Sequence, residues 1–157
     1  MSDWMPPLIR LSDCDGNWNE FVEAVYAIFA EDFLASRPLL DGLPVSCRRD
    51  PIALGKEAGF WHCISEGRNE DERTPDLRRC ERITWVRAVI ENCADHRVQS
   101  WYVRKRRDER RYLWFDELYL IALGVRPRYW QLITAFCTDR EHTRGRLREE
   151  MSRAGNG

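Results

Sequence analysis

The sequence predicts an α+β fold in which helices precede and pack on one face of a four-stranded antiparallel sheet, with a further helix at the C-terminus. Three observations carry this expectation. Apolar residues recur at three- and four-residue spacing from Trp18 to Phe29, the signature of an amphipathic helix. The second half reads as four apolar runs, 98–107, 112–116, 118–125 and 130–137, separated by charged or Gly/Pro punctuation. Runs joined by turns this short pair antiparallel.

Taken in order, the first helix should open after Asn17, an N-cap residue type, and run to about Ser36, ahead of Pro38. Residues 37–58 carry the turn signals Pro38, Asp41-Gly42, Pro44, Asp50-Pro51 and Gly55 around a short apolar piece at Val45, so an extended loop with one strand is expected. The run Gly59-Phe60-Trp61-His62-Cys63-Ile64-Ser65 predicts a short aromatic-rich strand ended by Gly67, followed by a polar exposed segment to Thr74. Thr74 as cap and Pro75 at the first helical position open a second helix reaching Cys93. Asp108-Glu109 is the expected hairpin tip and Arg126-Pro127 a further turn. Asp139 should cap the last helix, which runs to about Arg153.

The chain has 157 residues, 43% hydrophobic and 32% charged, enough for one domain with a core. It shows no internal repeat and no low-complexity linker, so a single domain over 1–157 is expected. Within it, 1–37 reads as an acidic helical extension and 38–153 as the core. No apolar run approaches the roughly 18 residues of a membrane span. The start, Met1-Ser2-Asp3-Trp4-Met5-Pro6-Pro7, does not resemble a secretory signal. Six scattered cysteines without a C-x-x-C pair, mostly inside apolar runs, read as reduced core thiols and point to a cytoplasmic location. A zinc site would have to draw Cys80, Cys93 and His96 to one helix face, and their spacing matches no structural zinc pattern.

The net charge of −1 hides two opposed parts. Residues 1–36 carry seven acids against Arg10, and the remainder is net basic. The bases are 23 arginines and only Lys56 and Lys105, either a bias of genome composition or a functional excess of forks suited to phosphate.

Three groups of residues are candidates for chemistry. Of the three histidines, His96 and His142 fall in polar positions near helix ends. His62 lies among Phe60, Trp61, Cys63 and Ile64, where a partly desolvated imidazole suits a general base, or else is a satisfied core residue. Arg73, Arg78, Arg79 and Arg82 gather around the predicted start of the second helix. They suit either a bound phosphate or an exposed ion-pair network with Asp76 and Glu81. From Arg97 to Arg111 seven bases face two acids and alternate with aromatics. Arg104, Lys105, Arg106, Arg107 and Arg111 therefore suit phosphates and unpaired bases, or else guard a sheet edge.

The motifs Gly59-Phe60-Trp61-His62, the stretch from Arg73-Thr74-Pro75 to Ile83-Thr84-Trp85, and Leu132-Ile133-Thr134-Ala135-Phe136 resemble the phage- and plasmid-borne branch of the barnase–EndoU–colicin–RelE-type ribonuclease superfamily. The resemblance spans about residues 38–150. It implies a cleft lined by a strand histidine (His62), an arginine on or before the second helix (Arg73, Arg79 or Arg82) and a late-strand hydroxyl (Thr134). The family often ends its last motif in Tyr, where this chain has Phe136. The implied activity is metal-independent endoribonuclease cleavage through 2′-hydroxyl attack, in a toxin or phage-defence effector. His62 would be the base, an arginine the phosphate clamp and Thr134 a hydrogen-bond donor to a phosphate oxygen. RNA and a cognate antitoxin or immunity protein are the implied partners; no membrane, metal or cofactor is expected. Two alternatives stay open: a catalytically inactive RNA- or protein-binding module on the same fold, and an interaction protein docking a partner through its acidic first helix.

Overall fold

The computed structural model describes residues 3–66 and 74–156. Helix α1 (Trp18–Ala30) opens as expected, with the Asn17 side chain accepting the Glu20 N–H at 3.1 Å. It continues as a π-helical turn, Glu31–Ala35, before Pro38. Phe21, Val25, Phe29 and Phe33 are fully buried, so the acidic helix joins the same core as the sheet.

The single strand expected near Val45 is a short hairpin, β1 (Leu39–Leu40) and β2 (Leu43–Cys47), turning at Asp41-Gly42. The next stretch corrects the expectation. Residues of the predicted aromatic strand form helix α2 (Ala58–Ile64). Phe60, Cys63 and Ile64 are all buried, and their three- and four-residue spacing is a helical period inside a run too short to reveal it. Gly59 lets α2 start against the end of β2: a Cβ there would come within 2.7 Å of Cys47 Cβ, and its N–H reaches the Arg48 carbonyl at 2.7 Å.

Thr74 does not cap a helix. Thr74–Pro75 is a two-residue strand, β4, pairing with β3 (Ser65–Glu66), as suits a residue before proline that is driven to extended backbone. Asp76 is the cap instead, accepting the Arg78 N–H at 3.1 Å. The second helix is also broken, into α3 (Leu77–Glu81) and α4 (Ile83–Glu91). At the break, the Arg82 N–H turns to Arg79 O while its guanidinium takes Arg78 O at 3.1 Å.

The four predicted late strands are present as an antiparallel meander: β5 (Val98–Lys105), β6 (Asp108–Phe115), β7 (Tyr119–Val125) and β8 (Trp130–Cys137). The sheet, however, has six strands, in the order β1-β2-β8-β7-β6-β5, because β2 pairs parallel with the first part of β8. The β5–β6 tip is Arg106-Arg107, not Asp108-Glu109. Pairing Trp101 with Tyr112, both facing the same cluster, sets the register and ends the ladder at Lys105↔Asp108.

Helices cover both faces of the sheet rather than one. Leu113, Ile121, Leu123 and Leu132 pack with α1, α2 and α4 in the larger cluster. On the opposite face Trp101, Tyr112, Trp114 and Leu120 pack with Leu147 and Met151 of α5 (Glu141–Asn156). Trp114 is fully buried and donates to Thr138 Oγ1 at 2.8 Å. Asp139 precedes α5 by two residues and, rather than capping it, holds Arg78.

The N-terminal segment is fastened by Asp95. Its carboxylate accepts from Arg97 and, at 2.7 Å, from Trp4 Nε1, and these bonds hold its pKa well below the usual carboxylate range. A pKa depressed on folding contributes stability that is full above the ordinary carboxylate value and is lost as pH falls through the folded one. Asp95→Asn should therefore lower the denaturation midpoint at neutral pH, and the gap to wild type should narrow on acidification. A gap that stays constant with pH would show that ionisation of Asp95 is not what fastens the segment.

Candidate functional site

Two places in the fold collect the residues singled out in the sequence. The first lies where α2 and α3 meet β8. β2 pairs only with Trp130, Gln131 and Leu132, so beyond Leu132 that edge of β8 has no strand partner among the described residues. The α2–β3 junction and α3 cover it. Thr134 Oγ1 donates to the His62 carbonyl at 2.9 Å. Arg79 Nη1 donates to the Ser65 carbonyl at 2.6 Å and reaches Thr134 Oγ1 at 3.5 Å. Its Nε lies 3.6 Å from the Asp76 carboxylate, and the guanidinium stacks 5.5 Å over the Phe136 ring.

The histidine segment, one helix arginine and the late hydroxyl therefore do come together. The Thr134 hydroxyl, however, is spent on the His62 carbonyl, and Arg79 is only 12% exposed. His62 sits on the last turn of a helix, not on a strand, and is half-buried. Arg82 points elsewhere, 5.1 Å over the Trp85 ring and 3.6 Å from Glu81. Arg78 makes a two-pronged pair with Asp139, which lowers the Asp139 pKa and raises that of Arg78. Arg73 lies outside the described residues. This arrangement resembles a tie that fastens two helices to a strand edge more than a set of groups presented to a substrate.

The second place is one end of the sheet. A meander sends alternate turns to the same end, so the β5–β6 tip and the β7–β8 turn are neighbours. Arg126 Nη1 bonds Asp108 Oδ1 at 3.1 Å and joins the two turns. Three of the acids here are already engaged: Asp108 also holds Arg110 at 3.1 Å, Glu150 holds Lys105 at 3.3 Å, and Asp41 holds Arg111, while exposed Glu109 occupies the position opposite Arg104 across the hairpin. Arg111 is wedged between the rings of Tyr102 and Trp130, 5.7 and 5.3 Å from their centres.

That leaves Arg104, Arg106, Arg107 and Arg128, all exposed, with no ion pair or side-chain hydrogen bond among the described residues. Two exposed aromatic rings stand at the same end, Tyr102 and Tyr129. Arg106 and Arg107 occupy φ of 50° and 68°, left-handed backbone that a two-residue hairpin turn normally gives to Asn-Gly. The sequence points to the hairpin arginines but not to Arg128 and Tyr129. Only the observation that alternate turns of a meander share an end brings them into the group.

Among the described residues, no three His, Cys, Asp or Glu side chains are placed to hold a metal, and no helix is long and apolar enough to cross a membrane. Burial pushes the thiols of Cys47 and Cys80 up to about 11 and about 12, so both hold their protons at neutral pH. Comparisons with family models, with curated proteins and with solved structures return no significant match to the chain.

Proposed function

We propose that this protein binds single-stranded nucleic acid through the basic end of its sheet, with RNA the class implied by the family resemblance. The observation that carries this is the Arg106-Arg107 turn. A non-glycine residue in left-handed backbone costs on the order of 1 kcal/mol or more, and such strain clusters at ligand-binding and switch sites. The Asp116-Glu117 turn carries similar backbone, but Glu117 is held by Arg148. Arg106 and Arg107 have no such internal partner among the described residues, and Arg104 and Arg128 flank them. Arginine forks recognise phosphate, and exposed tyrosines offer faces on which unpaired bases stack. Fluorescence anisotropy with a labelled single-stranded oligouridylate should show binding whose affinity falls log-linearly with salt. No binding at about 50 mM salt, where phosphate contacts are strongest, would overturn the proposal.

A second reading, metal-independent RNA cleavage with His62 as base, is favoured by the approach of the His62 segment, Arg79 and Thr134 to one another at the β8 edge. On this reading His62→Ala keeps the fold and loses about 10²–10⁴-fold in cleavage rate. Wild-type protein that leaves bound RNA intact, with chelator present, removes the cleavage reading and leaves the binding one standing.

A further inference from the structure

Alongside α2, reaching Ser65 and Pro75 of the β3–β4 pair, lies a cavity of about 640 Å³, a volume typical of sites for small organic ligands. Its walls are mainly apolar: Trp18 and Val22 of α1, Ala58 and Trp61 of α2, and the loop residues Pro51 and Leu54. Trp61 is fixed, its Nε1 donating to the Ala53 carbonyl at 2.9 Å. The loop is fixed too, by paired backbone hydrogen bonds between Ala53 and Lys56 at 2.9 and 3.0 Å across the turn at Leu54-Gly55.

Asn19, Glu23, Lys56 and Ser65 bring polar groups to this lining, and of the two charged ones Lys56 is the buried one. It is 7% exposed and lines the cavity. Among the described residues its ammonium makes one hydrogen bond, to Glu23, and lies 5.2 Å over the Tyr26 ring. An ammonium carries three donors, and a buried donor without an acceptor is costly. Glu23 already neutralises the charge and is itself largely exposed, so a second carboxylate brought to Lys56 would meet a like charge beside it. A neutral oxygen acceptor completes the lysine without adding charge.

We propose that this cavity is a binding site for an uncharged, mainly apolar ring compound carrying one carbonyl or amide oxygen, which accepts from Lys56 while its ring lies against the indoles of Trp18 and Trp61. The site is separate from the basic end of the sheet, so it stands or falls independently of nucleic-acid binding.

Prodan, an uncharged aminonaphthalene with one propionyl carbonyl, tests this. It should bind saturably at one site, with blue-shifted emission excited by transfer from tryptophan. Naphthalene, lacking the acceptor, should compete more weakly, and naphthoate, carrying a charge, should also bind more weakly than prodan. Asn19 is exposed on α1 and lines the cavity, so Asn19→Phe fills the space from the surface and should cut prodan affinity at least tenfold with an unchanged melting temperature. Lys56→Met should keep naphthalene binding and lose the preference for prodan. Absence of saturable prodan binding, tighter binding of naphthoate than prodan, or a preference for prodan that survives in Lys56→Met would overturn the proposal.

Discussion

Replacing Arg104, Arg106 and Arg107 together with alanine should weaken binding to single-stranded RNA by about ten- to a hundredfold at low salt and leave thermal stability unchanged. The magnitude follows from surface contacts of up to about 1 kcal/mol each, with 1.4 kcal/mol equal to a factor of ten. The salt dependence is the more specific readout. Each phosphate neutralised on a single strand contributes about 0.7 to the slope of log affinity against log salt, so removing three contacts should flatten it by about 2. Stability should hold because none of the three side chains pairs with another described residue. An unchanged slope would assign these arginines to guarding the sheet edge. Arg111→Ala should behave differently and cost stability, because its guanidinium fills the space between Tyr102 and Trp130 and is held by Asp41.

Arg79→Met should lower stability by about 1–3 kcal/mol, the scale of removing the charged donor from a hydrogen-bonded acceptor inside the protein. The substitution leaves the Ser65 carbonyl and the Asp76 carboxylate without their cation and uncovers the Phe136 ring. Because Ser65 begins β3 and Asp76 caps α3, the loss should loosen the β3–β4 pair and the start of α3 together. Chemical denaturation measures the cost. If Arg79→Met unfolds at the wild-type midpoint while abolishing RNA cleavage, the arginine is a catalytic clamp rather than a tie, and the second functional reading gains what the structural role loses.

Legibility in the sequence followed the range over which each pattern acts. The four-strand meander is readable because its signals are local: runs of five to ten residues, each closed by charged or Gly/Pro punctuation. The cap at Asn17 was readable for the same reason. The stretch around His62 misled because seven apolar-rich residues contain barely two helical turns, and Phe60, Cys63 and Ile64 fit either period until their burial is known. The parallel pairing of Val45 with Trp130 joins residues far apart in the chain, and no local pattern announces it. The helix break at Arg82 depends on where its own guanidinium lands, which spacing cannot foretell.

The candidate residues divide in the same way. Exposed hairpin arginines are visible as a charge run, and they are exposed in the structure. The resemblance assigns Arg79 and Thr134 to phosphate chemistry, yet each has an acceptor inside the protein. A sequence shows a donor without showing its acceptor. Arg128 and Tyr129 carry no local signal, because they join the basic group only through the return of the chain to the same end of the sheet.

The measurement that bears most directly on the central claim is a titration of the full chain with single-stranded oligouridylate, followed by backbone amide NMR. Binding through the basic end of the sheet predicts shifts concentrated at residues 102–107 and 126–129, with His62, Arg79 and Thr134 unmoved. Shifts centred on His62, Arg79 and Thr134, with the two turns unaffected, would contradict it and place RNA at the β8 edge.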